Sequence, residues 1–306
     1  MKIALLNARS LRNKVVDISD SLLSKNIALC AITETWLTAD DHVVIREYRE
    51  MGYNIFHNPR SSGRGGGVGV LVRRGLDIRN TQCFFFKSFE LFEVSLICRG
   101  EKISLSTFYR TGVLDSQSKE CFLQDIEKYV STKTLSQGHV VLLGDFNIHL
   151  EDNNDVFAEE FIDLMKSMGF HQIVDKPTHI AGGILDLIFI RNSTCVNNLT
   201  IYNETNDILL SDHYMLEISV ECKPKRKIER IERTFRSYST IDVNQFCKEL
   251  NQSLCSSNDL LLDEQVNNLF SSTQELLNKY APLQHKSIVV SNKPFTNKTI
   301  NDAKRL

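Results

Sequence analysis

Eight polar residues stand where short apolar runs end: Asn7, Glu34, Tyr109, Asp145, Asn147, Asp186, Asp212 and His213. Their types suit chemistry on a phosphoester. A hard divalent cation such as Mg²⁺ takes one or two carboxylates and fills its remaining positions with water and phosphate oxygens. Glu34 and Asp212 can supply those carboxylates. A histidine beside the cation binds or protonates a phosphate oxygen when a carboxylate holds its ring, and Asp186 can hold His213 in that way. Asp145 can orient a water for in-line attack, while Asn147 and Tyr109 can donate to charge developing on the phosphate. Each residue also has a plainer reading. Tyr109 fits a core aromatic, Gly144-Asp145-Phe146-Asn147 fits a strand-to-turn junction, and Ser211-Asp212-His213 fits a turn before a strand.

Strands are needed to hold such residues. Val140-Val141-Leu142-Leu143 is an apolar run broken by Gly144, as expected of a strand buried on both faces. If the extended conformation continues beyond it, Asp145 and Asn147 point the same way. Residues 2–8 form a strand that carries Asn7, and Ser10 is placed to N-cap a helix over about 11–25 with Val15, Ile18, Leu22 and Leu23 on one face. The next strand, 27–32, ends at Thr33-Glu34-Thr35-Trp36. This strand–helix–strand opening predicts a layered α/β protein. Strands are expected at 53–57 and 68–72. The glycine-rich stretch between them lacks the Gly-Lys-Ser/Thr ending of a phosphate loop and leads into a strand, so it reads as a turn. Residues 84–86, 91–98 and 102–109 read as successive strands, which indicates hairpin-built, largely antiparallel sheets. Helices are expected at about 116–133 and 155–168, the second stopped by Gly169. The apolar run 184–190 carries Asp186 in its middle, a carboxylate that needs a partner there. Strands 194–202 and 215–220 complete the domain near Glu221.

Composition sets the bounds. The chain has 306 residues, 42% hydrophobic and 24% charged, with net charge -2, which is ordinary for a globular protein. The N-terminus reaches Asn7 and Arg9 too soon for a signal peptide, and no run approaches the roughly 20 apolar residues of a membrane span. An intracellular protein with no membrane partner is expected. The eight cysteines, at 30, 83, 98, 121, 195, 222, 247 and 255, form no C-x-x-C pair. They read as reduced core residues and not as a zinc site or a disulfide framework. The region up to Cys222 is acidic on balance, whereas Lys223, Lys225, Arg226, Lys227, Arg230, Arg233 and Arg236 follow it. That run suits a phosphate backbone, or a solvated linker.

Taken in order, the motifs resemble a known group. Asn7, Thr33-Glu34-Thr35-Trp36, Tyr109, Gly144-Asp145-Phe146-Asn147, Leu185-Asp186-Leu187-Ile188-Phe189 and Ser211-Asp212-His213 are similar to the endonuclease/exonuclease/phosphatase superfamily. Gly63-Arg64-Gly65-Gly66-Gly67-Val68-Gly69-Val70 and Pro177-Thr178-His179-Ile180-Ala181-Gly182-Gly183 resemble signatures of the endonuclease domain of LINE-type (non-LTR) retrotransposons of the Jockey and chicken-repeat group. The resemblance covers about residues 1–221. It implies a DNase-I-like, four-layered α/β sandwich: two mixed, mostly antiparallel sheets face to face, helices outside, and a C-terminal helical extension.

The resemblance also implies roles. Glu34 would be the main metal ligand, with Asn7 beside it and Asp212 assisting with metal or leaving group. Asp145 would position or activate the attacking water. Asn147 and Tyr109 would contact the scissile phosphate, and His213, held by Asp186, would stabilise it. Arg9, Thr178, His179, Lys225, Arg226 and Lys227 would contact DNA. The cofactor would be Mg²⁺, with Mn²⁺ as a substitute, and the product a DNA nick with a 3′-hydroxyl. The partners would be DNA, the element's own RNA and a reverse transcriptase domain, and the place of action the nucleus. The pattern departs at Arg110-Thr111-Gly112, where relatives often have proline soon after the tyrosine.

Residues 222–240 are read as a basic linker. Residues 241–306, with amphipathic helices at about 241–254 and 260–280, are read as a connector truncated before any reverse transcriptase. Two other readings share these residues. One is another phosphoesterase on the same scaffold: an abasic-site endonuclease, a deadenylase, or a lipid or inositol phosphate phosphoesterase. The other is an inactive, nucleic-acid-binding transposon relic.

Overall fold

Alternate residues of the first strand, β1 (Lys2–Asn7), serve two different cores. Ile3 and Leu5 pack between two sheets, and Ala4 and Leu6 pack beneath helices. The same alternation recurs in β8 (His139–Asp145), where Val141 and Leu143 face the opposite sheet while Val140 and Leu142 face helices. Burial on both sides explains why these strands are continuous apolar runs and not alternating ones.

The computed structural model describes residues 1–59, 65–112, 115–152, 154–191, 194, 196–203, 205, 207–222, 230–255 and 261–289. After β1 come α1 (Val15–Ser24), β2 (Leu29–Thr33), α2 (His42–Glu50), β3 (Tyr53–Asn58), β4 (Val68–Arg73), β5 (Asp77–Phe85), β6 (Glu90–Cys98), β7 (Glu101–Tyr109) and α3 (Ser116–Thr134). Beyond β8 lie α4 (Val156–Ser167), β9 (Phe170–Gln172), β10 (Asp186–Arg191), β11 (Val196–Tyr202) and β12 (Met215–Val220). One six-stranded sheet has the order β11-β12-β1-β2-β4-β3, the other β5-β6-β7-β8-β10-β9. Helices α1 and α2 contribute to the core outside the first sheet, α3 and α4 to that outside the second. The result is the four-layered α/β sandwich that the motifs imply.

Each sheet contains one parallel pair, β1–β2 and β7–β8, and all other pairings are antiparallel. A parallel pair needs a crossover, and α1 and α3 supply the two. In the parallel registers Asn7 lies beside Thr33 and Tyr109 beside Asp145. The carboxyl ends of both parallel pairs therefore carry the residues singled out above, with Glu34 next after Thr33.

Several local expectations change. Helix α1 starts at Val15, not near Leu11, because Ser10 adopts φ 89° and Leu11 bonds to the Thr35 carbonyl instead of opening a helical turn. Ser10 uses its hydroxyl on the Arg12 amide, without capping α1. Helix α2 escapes the apolar pattern because it buries only Tyr48. Asp186 opens β10 and does not sit in mid-strand.

The chain divides into two compact units, Met1–Lys225 and Arg226–Leu306. The second contains β13 (Arg230–Phe235), α5 (Val243–Cys255), α6 (Leu262–Tyr280) and β14 (Gln284–Val289). β13 and β14 pair antiparallel, so the stretch read as linker and the stretch read as helical each contribute a strand. Arg236 donates to the carbonyls of Leu277 and Ala281 at 3.0 and 2.7 Å, and Lys279 pairs with Glu249 across the helices at 2.7 Å. Among the described residues, no helix is long and apolar enough to cross a membrane.

Candidate active site

One amide gathers the site. The Asn7 Nδ2, fully buried, lies 2.9 Å from Asp145 Oδ2, 3.1 Å from Glu34 Oε1 and 3.5 Å from His213 Nε2. Its Oδ1 accepts the Arg9 backbone N–H at 3.1 Å, which fixes the direction of the amide. His213 Nδ1 in turn meets Asp186 Oδ2 at 2.7 Å. Asp186 and Asp145 are opposite residues of the antiparallel β8–β10 pair. Glu34, Asn7 and Asp145 are thus joined by hydrogen bonds, His213 is bonded to Asp186, and the β8–β10 pairing sets the two groups side by side, so residues more than two hundred positions apart converge.

The backbone is held in uncommon conformations around it. Of the non-glycine residues with positive φ, Arg9, Ser10, Glu34, Trp36 and Asn147 all lie on the loops that leave these strands. Such conformations cost of order 1–3 kcal/mol each and persist where surrounding structure imposes them. The glycine-rich segment imposes them on Glu34. Thr35 N bonds to the Gly67 carbonyl at 3.1 Å and Trp36 N to that of Gly66 at 3.0 Å. A Cβ on Gly67, whose φ is 88°, would stand 2.5 Å from Thr35 Oγ1, so that position requires glycine. Trp36 Nε1 donates to Glu34 Oε2 at 3.1 Å. The sequence signal for Trp36 was its place in Thr-Glu-Thr-Trp, but its role in holding the carboxylate was not read there.

Asn147 does not continue the strand. With φ 47° its own N–H bonds to Asp145 Oδ1 at 3.0 Å, and its Nδ2 donates to the Arg110 carbonyl at 2.6 Å. The expectation that Asp145 and Asn147 share an extended face is corrected by this turn. Arg110, marked in the sequence only as a departure from the pattern, is 3% exposed and donates to the carbonyls of Phe146 and Asn147 at 3.3 and 3.2 Å. Its guanidinium lies over the rings of Phe122 and Phe157, and burial lowers its pKa. Tyr109, at the end of β7, packs in the inter-sheet core next to Asp145 in register.

The loop before β10 positions Asp186. Thr178 is fully buried, and its hydroxyl accepts the backbone N–H of Leu185 at 3.0 Å and of Asp186 at 3.1 Å. A residue so enclosed builds the loop and does not present itself to a nucleic acid, which corrects its reading as a DNA contact. His179 is partly exposed and forms a bridge with His213, the two rings meeting edge to face at 4.7 Å. Asp212 forms an ion pair with Arg9 and lies 3.4 Å from His179 Nε2. Lys225, Arg226 and Lys227 lie outside the described residues.

Electrostatics follow from burial and from the number of carboxylates. Burial, reinforced by the neighbouring charge of Asp186, pushes the Asp145 carboxyl up to about 7. Burial disfavours the charged His213 ring, but the Asp186 hydrogen bond and the charges of Asp186, Asp145 and Asp212 outweigh it and raise it to about 9. Burial also opposes the Asp212 charge, yet Ser211, Arg9, His213 and His179 hold it below the usual carboxylate range. With His213 raised to about 9, both ring nitrogens carry protons at neutral pH, so Nε2 does not accept from Asn7 and the 3.5 Å approach brings two donors together, while Asp145 is poised between base and acid.

Two groups here have the makings of a metal site: Asp145, Asp186 and His213, and His179, Asp212 and His213. Asp186 Oδ1 is buried without a hydrogen-bond partner among the described residues. Buried polar oxygens are almost always satisfied, so this atom lacks a water, proton or cation. Together with Glu34 and Asp212, the carboxylate-rich set fits a hard divalent cation.

Solved structures share the architecture. The endonuclease domain of TRAS1, a telomere-specific non-LTR retrotransposon, aligns over 72% of this chain and 97% of its own, with 14% identity and a TM-score of 0.55. A 3′-5′ exonuclease from Neisseria meningitidis gives 17% identity and a TM-score of 0.61, and an AP endonuclease from Archaeoglobus fulgidus 18% and 0.59. Each of these two covers 72% of this chain and 100% of its own. At such identities the likeness shows the fold. No curated protein matches the chain. Residues 4–213, from β1 to the histidine of the network, match the endonuclease/exonuclease/phosphatase family, and the chain belongs to it.

Proposed function

We propose that the chain is a Mg²⁺-dependent DNA endonuclease that hydrolyses a phosphodiester to a 3′-hydroxyl, as in target-site nicking by a LINE-type element of the Jockey and chicken-repeat group. The observation that carries this reading is the one buried cluster in which Asn7 donates to Glu34 and Asp145 beside the Asp186-bound His213. A carboxyl near neutrality beside an imidazolium suits water attack on a phosphate.

Asp145, with its carboxyl near 7, takes a proton from the attacking water as its oxygen bonds to phosphorus, the P–O3′ bond breaks, and the departing 3′-oxygen takes up a proton from solvent to leave as the hydroxyl. Asn7 holds that carboxylate in place through its amide. His213 gives an Nε2–H to a non-bridging oxygen, and Asp186 keeps the ring charged and oriented. Glu34, steadied by Trp36, and Asp212 are the residues that would hold Mg²⁺, or Mn²⁺ in its place, and the cation would neutralise charge on the phosphate. Asn147 and Tyr109 line the same strand ends and are assigned to the scissile phosphate. Arg9 and His179, beside Asp212, are assigned to flanking DNA.

The retrotransposon reading draws on the glycine-rich and Pro-Thr-His segments and on the fold shared with the TRAS1 domain. It assigns residues 1–221 to the nuclease, 222–240 to a basic linker and 241–306 to a connector toward a reverse transcriptase. The element's own RNA would be a further partner and the nucleus the place of action.

Nicking of supercoiled plasmid with Mg²⁺, against EDTA and Asp145→Ala and His213→Ala variants, tests the assignment. Conversion to open circle should require the metal and both residues. Nicking that survives both substitutions in folded protein would overturn the roles. Hydrolysis confined to abasic duplex, poly(A) or phosphoinositide would replace the substrate.

A further inference from the structure

A second cluster of metal-binding side chains lies at the other end of the sandwich. Glu101, His139 and Cys222 each place a ligand atom within 4.8 Å of the others. Burial, with Cys98 as a close neighbour, raises the Cys222 thiol pKa, though the Cys98 sulfur stands outside this group of three. These residues are remote in sequence, and the topology joins them. Cys98 ends β6 and Glu101 begins β7 across a two-residue turn, with Arg99 at φ 51° and Gly100 at φ 84°, so the two are paired in register. His139 opens β8 beside the same end of β7, and Cys222 follows β12 of the other sheet. The catalytic network occupies the far ends of β7 and β8, about 20 Å away at roughly 3.3 Å per residue.

The chemistry is that of a soft-to-borderline cation. His139 Nε2 stands 3.0 Å from Glu101 Oε2. Two ligands at about 2.0–2.1 Å on a tetrahedral zinc are about 3.3 Å apart, so the pair already has nearly the required spacing. A nitrogen–sulfur edge of about 3.6 Å needs a contraction of about 1.2 Å at most from the 4.8 Å limit, within the reach of side-chain rotation. His139 is 8% exposed, and its Nδ1 is buried with no hydrogen-bond partner among the described residues. Buried ring nitrogens are rarely left so, and with the proton on Nδ1 the Nε2 lone pair that faces Glu101 is free to bind a cation. Thiolate and imidazole ligands select Zn²⁺ over the oxygen-seeking Mg²⁺ of the proposed catalytic site.

We propose that Cys98, Glu101, His139 and Cys222 bind a structural Zn²⁺ that ties the two sheets together at the end opposite the catalytic network. Binding displaces one proton from each thiol, forms two Zn–S bonds and involves no change of oxidation state. With the Cys98 side chain rotating in as the fourth ligand, the protein closes the tetrahedron and leaves no position for a reacting water, so the role is structural.

Cobalt(II) and zinc(II) themselves are the probes. Protein loaded with cobalt(II) in Mg²⁺-free buffer should show a thiolate-to-cobalt charge-transfer band and tetrahedral d–d bands, displaced by about one equivalent of zinc. The bands should vanish in Cys222→Ser and His139→Gln and persist in Asp145→Asn, which separates this site from the catalytic one. Cys98→Ser, at a half-buried position, should keep the fold by circular dichroism, lose or shift the charge-transfer band and nick plasmid at the unaltered rate. A folded protein without the band, or a band unchanged in Cys98→Ser or Cys222→Ser, overturns the proposal. So does a Cys98–Cys222 disulfide, found by mass in zinc-free protein isolated without reductant, since it would assign the pair to redox chemistry.

Discussion

His213 Nδ1 and Asp186 Oδ2 stand 2.7 Å apart in the buried centre of the site, and Asp186 opens the strand that pairs with the strand of Asp145. One carboxylate therefore acts on two neighbours with opposite sign. It stabilises the imidazolium of His213 and destabilises the anion of Asp145.

Asp186→Asn keeps the size of the side chain and removes the charge. His213 should lose its raised pKa, and the Asp145 carboxyl should ionise more readily. The nicking rate should fall by about 10²–10⁴, the range for loss of a positioned proton-transfer group, with the circular dichroism spectrum retained. Titration of the His213 ring by NMR reads the cause. An Asp186→Asn variant with unaltered His213 titration and a full nicking rate would remove Asp186 from the mechanism.

Thr178 holds the loop that delivers Asp186. Its hydroxyl receives two backbone N–H groups, from Leu185 and Asp186. Thr178→Val leaves both buried donors without an acceptor, at a cost of about 1–3 kcal/mol. Urea unfolding should show that loss. The salt dependence of DNA binding should be unchanged, because a residue that builds the loop makes no phosphate contact. A weakened salt slope with intact stability would restore Thr178 as a DNA contact.

Gly144 illustrates what a motif conceals. In Gly-Asp-Phe-Asn the glycine looks like a turn former, yet it lies inside β8, where a Cβ would stand 1.9 Å from the Phe108 carbonyl oxygen. Strand β7 must move to admit even alanine. Gly144→Ala should cost about 1–3 kcal/mol, as overpacked core substitutions do, and shift Asp145 against Tyr109. Thermal unfolding and the nicking rate should fall together.

Arg110 is the site's hidden brace. It donates to the carbonyls of Phe146 and Asn147 and accepts the Asn147 side chain on its own carbonyl. Arg110→Met keeps much of the packing over Phe122 and Phe157 and removes the donors. A misplaced Asn147 should lower the nicking rate by up to about 100-fold, with Mg²⁺ dependence intact. An unchanged rate would show that the loop holds without it.

How much of this was legible in the sequence depends on whether a residue's reason is local. Asn7, Glu34, Asp145 and His213 stood out because each ends or opens an apolar run, and strand ends converge in a layered fold; Asp186 stood out as a carboxylate inside an apolar run that needs a partner. The strand–helix–strand opening pointed to a layered α/β fold, but the parallel pairing of β1 with β2 and of β7 with β8 was not read from it. Thr178 and Gly144 were seen but misread, because their reasons are contacts with Asp186 and Phe108 that no neighbouring residue announces. Arg110 and Trp36 gave no periodic signal at all. Helix α2 and the β13–β14 pair were missed because one buries a single side chain and the other pairs strands that lie far apart in the chain.

Glu93 gives a pH test outside the catalytic centre. Burial opposes its charge, but hydrogen bonds from Lys133 and Tyr129, the Lys133 charge and a bond from Ser104 outweigh that and hold its carboxyl below the ordinary 4.5. Tyr129 Oη lies 2.7 Å and Ser104 Oγ 2.9 Å from its two oxygens. A group whose folded pKa is depressed contributes stability above its unfolded value and loses it as pH falls through the folded one. The contribution of Glu93 is therefore complete above about 4.5 and declines below it. Glu93→Gln should destabilise the protein at pH 7, where Lys133 is left without its anion. The gap between variant and wild type should narrow as pH is lowered below 4.5. Urea unfolding across that range measures it, and a gap that stays constant or widens toward acid would show that Glu93 is not held below its ordinary value.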